Sequence, residues 1–163
     1  MGQHVWGNSR RSDKRDRIAY YAPAADGTTQ VFIIPSDGSD QSPNRAKRPL
    51  QATHLPKGAG LGLRWHPSGN SILCPGNDGI VATCVKRGRQ FGQSVFLTVQ
   101  GNGAAREQLV LSPDGKLLAY DEAEPTKDEQ GKPVKTFAGL DPSQIFVLSF
   151  PDANGDGVAT DRK

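Results

Sequence analysis

Long apolar runs are missing from this 163-residue sequence, and cysteine and methionine are rare, with two and one residues respectively. No segment approaches the length that a membrane span requires. The first 17 residues contain no apolar stretch that could act as a signal peptide. The sequence as written therefore predicts a soluble chain without a membrane span.

The two cysteines are not placed to form a disulfide. Cys74 and Cys84 fall on opposite arms of a predicted hairpin that turns at residues 77–79. In that register the two side chains do not face each other, so we expect both thiols to be free. Cysteine usage consequently does not indicate a cellular compartment.

The sequence also lacks a large excess of either charge. Its 20 Lys and Arg residues nearly balance 17 Asp and Glu residues, and the net charge is +3. Several basic residues cluster just before residue 18, without interleaved aromatic residues or a helix that could read a nucleic-acid groove. A flexible basic arm over residues 1–16 is favoured over a nucleic-acid patch. We expect no nucleic-acid partner.

Motifs for catalysis and cofactor binding are missing as well. The sequence has no GxSxG nucleophile elbow, no phosphate-binding loop and no dinucleotide fingerprint. His4, His54 and His66 lack metal-ligand spacing, and His66 is interpreted as a turn residue. The sequence therefore predicts a non-enzymatic protein without a bound cofactor.

Glycine and proline are plentiful, with 19 and 12 residues, whereas hydrophobic residues make up 35% of the chain. This composition favours short strands joined by tight turns over long helices. Residues 18–21 and 30–34 form one predicted hairpin around Asp26-Gly27, which is a hairpin turn signal. The length fits one domain or a piece of a larger one.

One turn motif occurs twice between apolar stretches. Ser112-Pro113-Asp114-Gly115 has Pro113 to preset the first corner, Asp114 to bond the local backbone and Gly115 to accept a positive φ. A weaker copy upstream places Pro67 and Gly69 at the corresponding positions. Asp114 is accordingly interpreted as a turn-forming residue and not as a catalytic carboxylate.

The motif belongs to three sequence repeats, at about residues 17–55, 61–100 and 107–150. The first and third repeats align Gln30 with Gln144 and Phe32 with Phe146, although the first lacks a good turn motif. The third repeat contains a long polar insertion over residues 122–141. We interpret it as an insertion that the fold tolerates, in preference to a binding loop.

Each repeat supplies about four short strands, the last ending near a Leu-Thr-like element such as Ala52-Thr53 or Leu97-Thr98. One such sheet cannot bury both of its faces, so it must stack on copies of itself. The sequence predicts an all-β fold of four-stranded antiparallel propeller blades, about three in number, in an incomplete ring. Trp65 and Tyr120 are assigned to the core of these blades.

Two segment pairs resemble the WD-repeat-like blades of the TolB family: SPDGKLLAY with QIFVLSF, and WHPSGNSILC with IVATCV. Propeller domains of prolyl-oligopeptidase-type enzymes are built from similar blades. The resemblance covers residues 18–150. It implies a scaffold that binds a protein or peptide, in the periplasm or at the bacterial envelope. The alternative that it implies is the propeller portion of a peptidase whose catalytic domain lies elsewhere.

Similar propellers close their rings with six or more blades, so three blades would leave exposed edges. We expect either a continuation into a longer propeller or self-association, and the sequence favours the former.

The C-terminal residues 151–163 form a predicted polar loop or tail with one candidate metal site. Asp152, Asn154 and Asp156 alternate before Gly157, as in the first half of a calcium loop. The position that should hold a bidentate Glu is Lys163. A plain loop is therefore favoured, and a calcium-dependent binding module is the lesser alternative.

Overall fold

The computed structural model describes residues 4–7, 17–37, 48–76, 79–98, 108–123, 129–131 and 143–150. These residues form strands, turns and connecting loops, with no helix among them. The prediction of an all-β chain is confirmed for this part of the molecule.

The strands form three antiparallel sheets. The first sheet contains β1 (His4–Gly7), β2 (Arg17–Pro23), β3 (Thr29–Pro35) and β4 (Leu50–Gln51). The second contains β5 (Arg64–Trp65), β6 (Ser71–Gly76), β7 (Gly79–Cys84) and β8 (Ser94–Phe96). The third contains β9 (Leu109–Leu111), β10 (Leu117–Ala123) and β11 (Ser143–Ser149), in the order β11-β10-β9.

Strand β1 lies within the stretch for which the sequence predicts a flexible arm, residues 1–16. It pairs antiparallel with β2, and Val5 lies opposite Ala19. Main-chain hydrogen bonds can hold a strand that has little apolar sequence of its own, and only Val5 and Trp6 gave a signal here. Residues 4–7 thus form a strand within the stretch predicted as an arm, the flexibility of that arm stays a prediction, and the rest of the stretch lies outside the described residues.

The two predicted turns have the same backbone geometry. Gly69 and Gly115 have φ values of 70° and 73°. The amide of Gly69 donates to the carbonyl of His66 at 2.8 Å, and the amide of Gly115 donates to that of Ser112 at 2.9 Å. Glycine suits both turns because it has no Cβ to resist a positive φ.

The first two sheets also end alike. The amide of Val31 in β3 donates to Oγ1 of Thr53 at 2.8 Å, and the amide of Ile80 in β7 donates to Oγ1 of Thr98 at 2.9 Å. These bonds make Val31 and Ile80 equivalent positions. In both sheets the threonine of the Leu-Thr-like element therefore accepts a main-chain hydrogen bond from the third strand.

Strand β4 ends at Gln51, and the segment that follows it turns away from the sheet. Gln30, which is buried, accepts from Oγ1 of Thr53 at 2.7 Å and from the amide of Leu55 at 3.1 Å. Its Nε2 donates to the carbonyl of Leu55 at 2.7 Å and to Oγ1 of Thr28 at 2.9 Å. This amide network, here called the Gln30 network, fixes the connector between the first and second sheets.

The sheets stack face to face, and each has a forward face toward the next sheet along the chain and a rear face toward the previous one. The two interfaces between them form two apolar cores. In the first core, the forward face of the first sheet contributes Ala19, Tyr21, Val31 and Ile33, and the rear face of the second contributes Trp65, Ile72, Cys74 and Val81. In the second core, Leu73, Ile80, Ala82 and Val95 of the second sheet pack on Leu109, Leu118, Tyr120 and Leu148 of the third.

The first strands of the sheets lie together, since β1 neighbours β5 and β5 neighbours β9. Each sheet contributes the same edge to this arrangement, because β1, β5 and β9 occupy corresponding places in the strand orders. The described residues form three stacked sheets and do not close into a ring.

We predict that the cysteines resist modification in the native protein. Cys74 and Cys84 are buried and form no disulfide, and burial raises the pKa of the Cys74 thiol to about 12. The Cys74 thiol should therefore stay protonated near neutral pH, burial should keep both thiols from a disulfide reagent, and both should react after unfolding in urea. Fast native-state reaction of either thiol would contradict this arrangement.

Candidate interaction surface

The forward face of the third sheet is apolar and open to solvent. The register places Ile145 of this face at the position that Val31 holds in the first sheet and Ile80 in the second. Val31 and Ile80 are fully buried, whereas Ile145 is 81% exposed. The same position in the repeat is therefore core in two sheets and surface in the third.

A second equivalent position shows the same contrast. Val147 lies opposite Ala119, as Ile33 lies opposite Ala19 and Ala82 opposite Leu73. Ile33 and Ala82 are buried, whereas Val147 is 63% exposed.

The remaining large apolar side chains of this face are exposed as well, with Val110 at 61% and Leu117 at 46%. We call the surface the open face; its apolar residues are Val110, Leu117, Ala119, Ile145 and Val147, and the register also places Asp121 and Ser149 on it. Contiguous apolar surface of this kind marks interaction sites more often than isolated exposed residues do.

Polar side chains fix the register of the two interfaces that are covered. Arg17 of the first sheet donates to the carbonyls of Val85 and Gly69 in the second, both at 2.6 Å. Its guanidinium lies 5.1 Å from the ring centroid of Trp65, within cation–π range. This side chain joins the two sheets beside their turn.

His66 joins the second and third sheets in a similar way. Because the amide of Ser68 donates to Nδ1 of His66 at 3.2 Å, the ring proton belongs on Nε2, which donates to the carbonyl of Gly115 at 3.0 Å. The ring also packs on Phe150, with 4.7 Å between centroids. His66 lies in its turn as the sequence predicts, but it acts in addition as an inter-sheet clamp.

The close approach of these groups requires glycine at position 115. A Cβ atom there would overlap the imidazole of His66, whereas a Cβ at Gly27, which also has a positive φ, would meet nothing within 4 Å. The turn glycine therefore serves both the local turn and the packing of the third sheet on the second.

Asp114 shapes the second turn from the solvent side. Its Oδ1 accepts from Oγ of Ser112 at 2.6 Å and from the amide of Lys116 at 3.0 Å. These bonds, the Ser112 bond first, lower the pKa of the Asp114 carboxyl. Pro67 and Pro113 occupy exposed corners of their turns. None of these residues belongs to the open face.

The candidate calcium residues Asp152, Asn154 and Asp156 lie outside the described residues. Within the described part of the chain, no three His, Cys, Asp or Glu side chains are grouped so that they could hold a metal ion. That part also contains no helix long and apolar enough to cross a membrane.

The open face had no separate signal in the sequence. Its apolar residues alternate along the strands as core residues do. Only the comparison of equivalent positions in the three sheets shows that those of the third sheet are exposed. No protein-family model, no curated protein and no solved structure matches this chain.

We predict that Gly115→Ala destabilises the protein more than Gly27→Ala does. Both substitutions impose a positive φ on alanine, at a cost of about 1–2 kcal/mol. Only Gly115→Ala adds the overlap with His66. Urea unfolding should give the larger loss for Gly115→Ala, and combining it with His66→Ala should cost less than the sum of the two single changes. Additive costs would contradict the contact.

We also predict that Asp114 titrates below the usual range of aspartate and that Ser112→Ala moves its pKa back toward that range. A lowered folded-state pKa stabilises the protein above the unfolded-state pKa, and this contribution is lost as the pH falls through the folded-state value. Carboxyl-carbon NMR titration measures the shift. Asp26 is the internal control, because Thr28 lowers its pKa independently, so Ser112→Ala should leave Asp26 unchanged.

Proposed function

We propose that this chain is a non-enzymatic scaffold that binds another protein through the open face. The observation that carries the proposal is the contrast at the equivalent positions Val31, Ile80 and Ile145, of which only Ile145 is uncovered. The repeat builds this face to be buried, and a protein surface can supply the burial.

The chemistry of the open face favours a packed protein surface as partner. Val110, Ile145 and Val147 are β-branched, stand at alternate strand positions and project from one side of the sheet. Covering a valine or isoleucine side chain contributes about 1.5–3 kcal/mol, so a few of these residues could anchor an interface. Asp121 lies opposite Ile145 and accepts from the amide of Gln108 at 2.7 Å, so the apolar part of the face is bordered by a charged group, as the core of a protein interface is bordered by a polar rim.

The finer part of the proposal is that the three sheets are blades of an incomplete TolB-like propeller. The repeated turns, the matched threonine hydrogen bonds and the adjacency of β1, β5 and β9 support it. A role at the bacterial envelope belongs to the same proposal and is supported by the resemblance of the turn-and-strand segments alone.

A photo-crosslinking residue at position 145 should capture a protein in cells that express the chain. The matched control is the same residue at Leu61, which is 67% exposed and lies outside the open face. Mass spectrometry identifies the captured chain. We expect capture from position 145 but not from position 61, and we expect Val147→Glu to reduce the yield by about tenfold.

A folded protein that gives no crosslink from position 145, or equal crosslinks from positions 145 and 61, would contradict this function. Circular dichroism and urea unfolding establish that the labelled proteins are folded.

A further inference from the structure

We infer that the occupant of the open face is the rear face of the first sheet of a second copy, so that copies of this chain associate head to tail. This inference rests on the proposed function and names its partner. It follows from the way in which the described sheets already pack on one another.

The two described interfaces have the same arrangement. In each of them the forward face of one sheet packs on the rear face of the next. The forward face of the first sheet receives the rear face of the second, and the forward face of the second receives the rear face of the third. Among the described sheets, one forward face, the open face, and one rear face, that of the first sheet, are not packed against another described sheet.

The rear face of the first sheet is nearly a copy of a rear face that is already seated. The register aligns its large residues with those of the third sheet, which packs on the second. The two sets are Ile18, Tyr20, Phe32 and Ile34 in the first sheet, and Leu118, Tyr120, Phe146 and Leu148 in the third.

The aromatic pairs of these two rear faces have similar geometry. The ring centroids of Tyr20 and Phe32 are 6.1 Å apart, and those of Tyr120 and Phe146 are 5.6 Å apart. Tyr120 packs against the core between the second and third sheets. The first sheet thus presents the shape and chemistry that a forward face accepts in this molecule.

The open face shares one large residue with the forward face that accepts the third sheet. Ile145 takes the place of Ile80, so the residue type is the same. The next pair has its sizes exchanged, because Leu73 and Ala82 of the second sheet correspond to Ala119 and Val147 of the third. The two forward faces are therefore both apolar at these positions, and a rear face that moves from one to the other has to adjust its side-chain packing.

A head-to-tail contact uses two different surfaces, one from each copy. Such contacts close into a ring when the rotation between copies permits and otherwise extend as open assemblies. A contact built on a two-fold axis would instead use the same surface twice. The two cases respond differently to substitutions on separate surfaces, and this difference provides the test.

The first measurement is solution mass by sedimentation over a dilution series. We expect the wild-type chain to form a dimer or larger assembly and Ile145→Glu/Val147→Glu to be monomeric, because two buried charges would oppose the contact. Leu61→Glu is the matched control for an added charge on an exposed apolar residue, and it should associate like the wild type.

The second measurement is complementation. Ile34→Glu alters the rear face of the first sheet and leaves the open face intact, whereas Ile145→Glu/Val147→Glu does the reverse. Each variant alone should be monomeric, and a mixture should form a mixed dimer through the one intact pair of surfaces. Circular dichroism of Ile34→Glu checks its fold, and Phe32→Ser replaces it if it unfolds.

The inference is overturned by a monomeric wild type, by an assembly that Ile145→Glu/Val147→Glu leaves intact, or by a mixture of folded variants that stays monomeric. Its failure is separable from that of the proposed function. A monomeric wild type that still crosslinks another protein from position 145 removes the second copy as partner and keeps the binding function. No crosslink and no assembly would remove both.

Discussion

Burial of both faces of the second sheet is the constraint on which the rest of the structure depends. Ile72 on its rear face and Leu73 on its forward face are both fully buried, although they are neighbours in the chain. Side chains of neighbouring strand residues point to opposite faces, so this burial requires a cover on each side. The first and third sheets are those covers, and each therefore has an outer face that nothing in the second sheet can protect.

Polar contacts decide how the covers are placed on the second sheet. Apolar packing is non-directional, and a sheet could slide over its neighbour at small cost. Arg17 and His66 remove that freedom, because each donates to the carbonyl of a turn glycine in the following sheet, Gly69 or Gly115. The turn motif of the repeat is thus also the acceptor that fixes the register between sheets.

Local chemistry made the turns and most strands predictable. Pro113, Asp114 and Gly115 each favour a particular turn position, and the flanking apolar residues alternate with the period of a strand. The pairing of β1 was not predictable in this way, because the composition of residues 4–7 does not indicate which strand they pair with. The clamp made by His66 depends on Gly115 and Phe150, which are distant in the sequence, so no local pattern could indicate it.

The open face shows a related limit. Alternation along β11 indicates that Ile145 and Val147 share a face, but it does not indicate whether that face is covered. Coverage depends on how many sheets are stacked and in which order. Comparison of Ile145 with Ile80 resolved the question only after the register had aligned the two sheets.

The Gln30 network has a consequence for which side of the first sheet is covered. The rear face of the first sheet resembles the rear face that packs on the forward side of the second sheet, so apolar chemistry alone does not distinguish the two possible arrangements. By fixing Thr53 and Leu55 against β3, Gln30 sets the direction in which the chain leaves the first sheet. A buried amide far from the open face thereby contributes to the choice of the face that meets the second sheet.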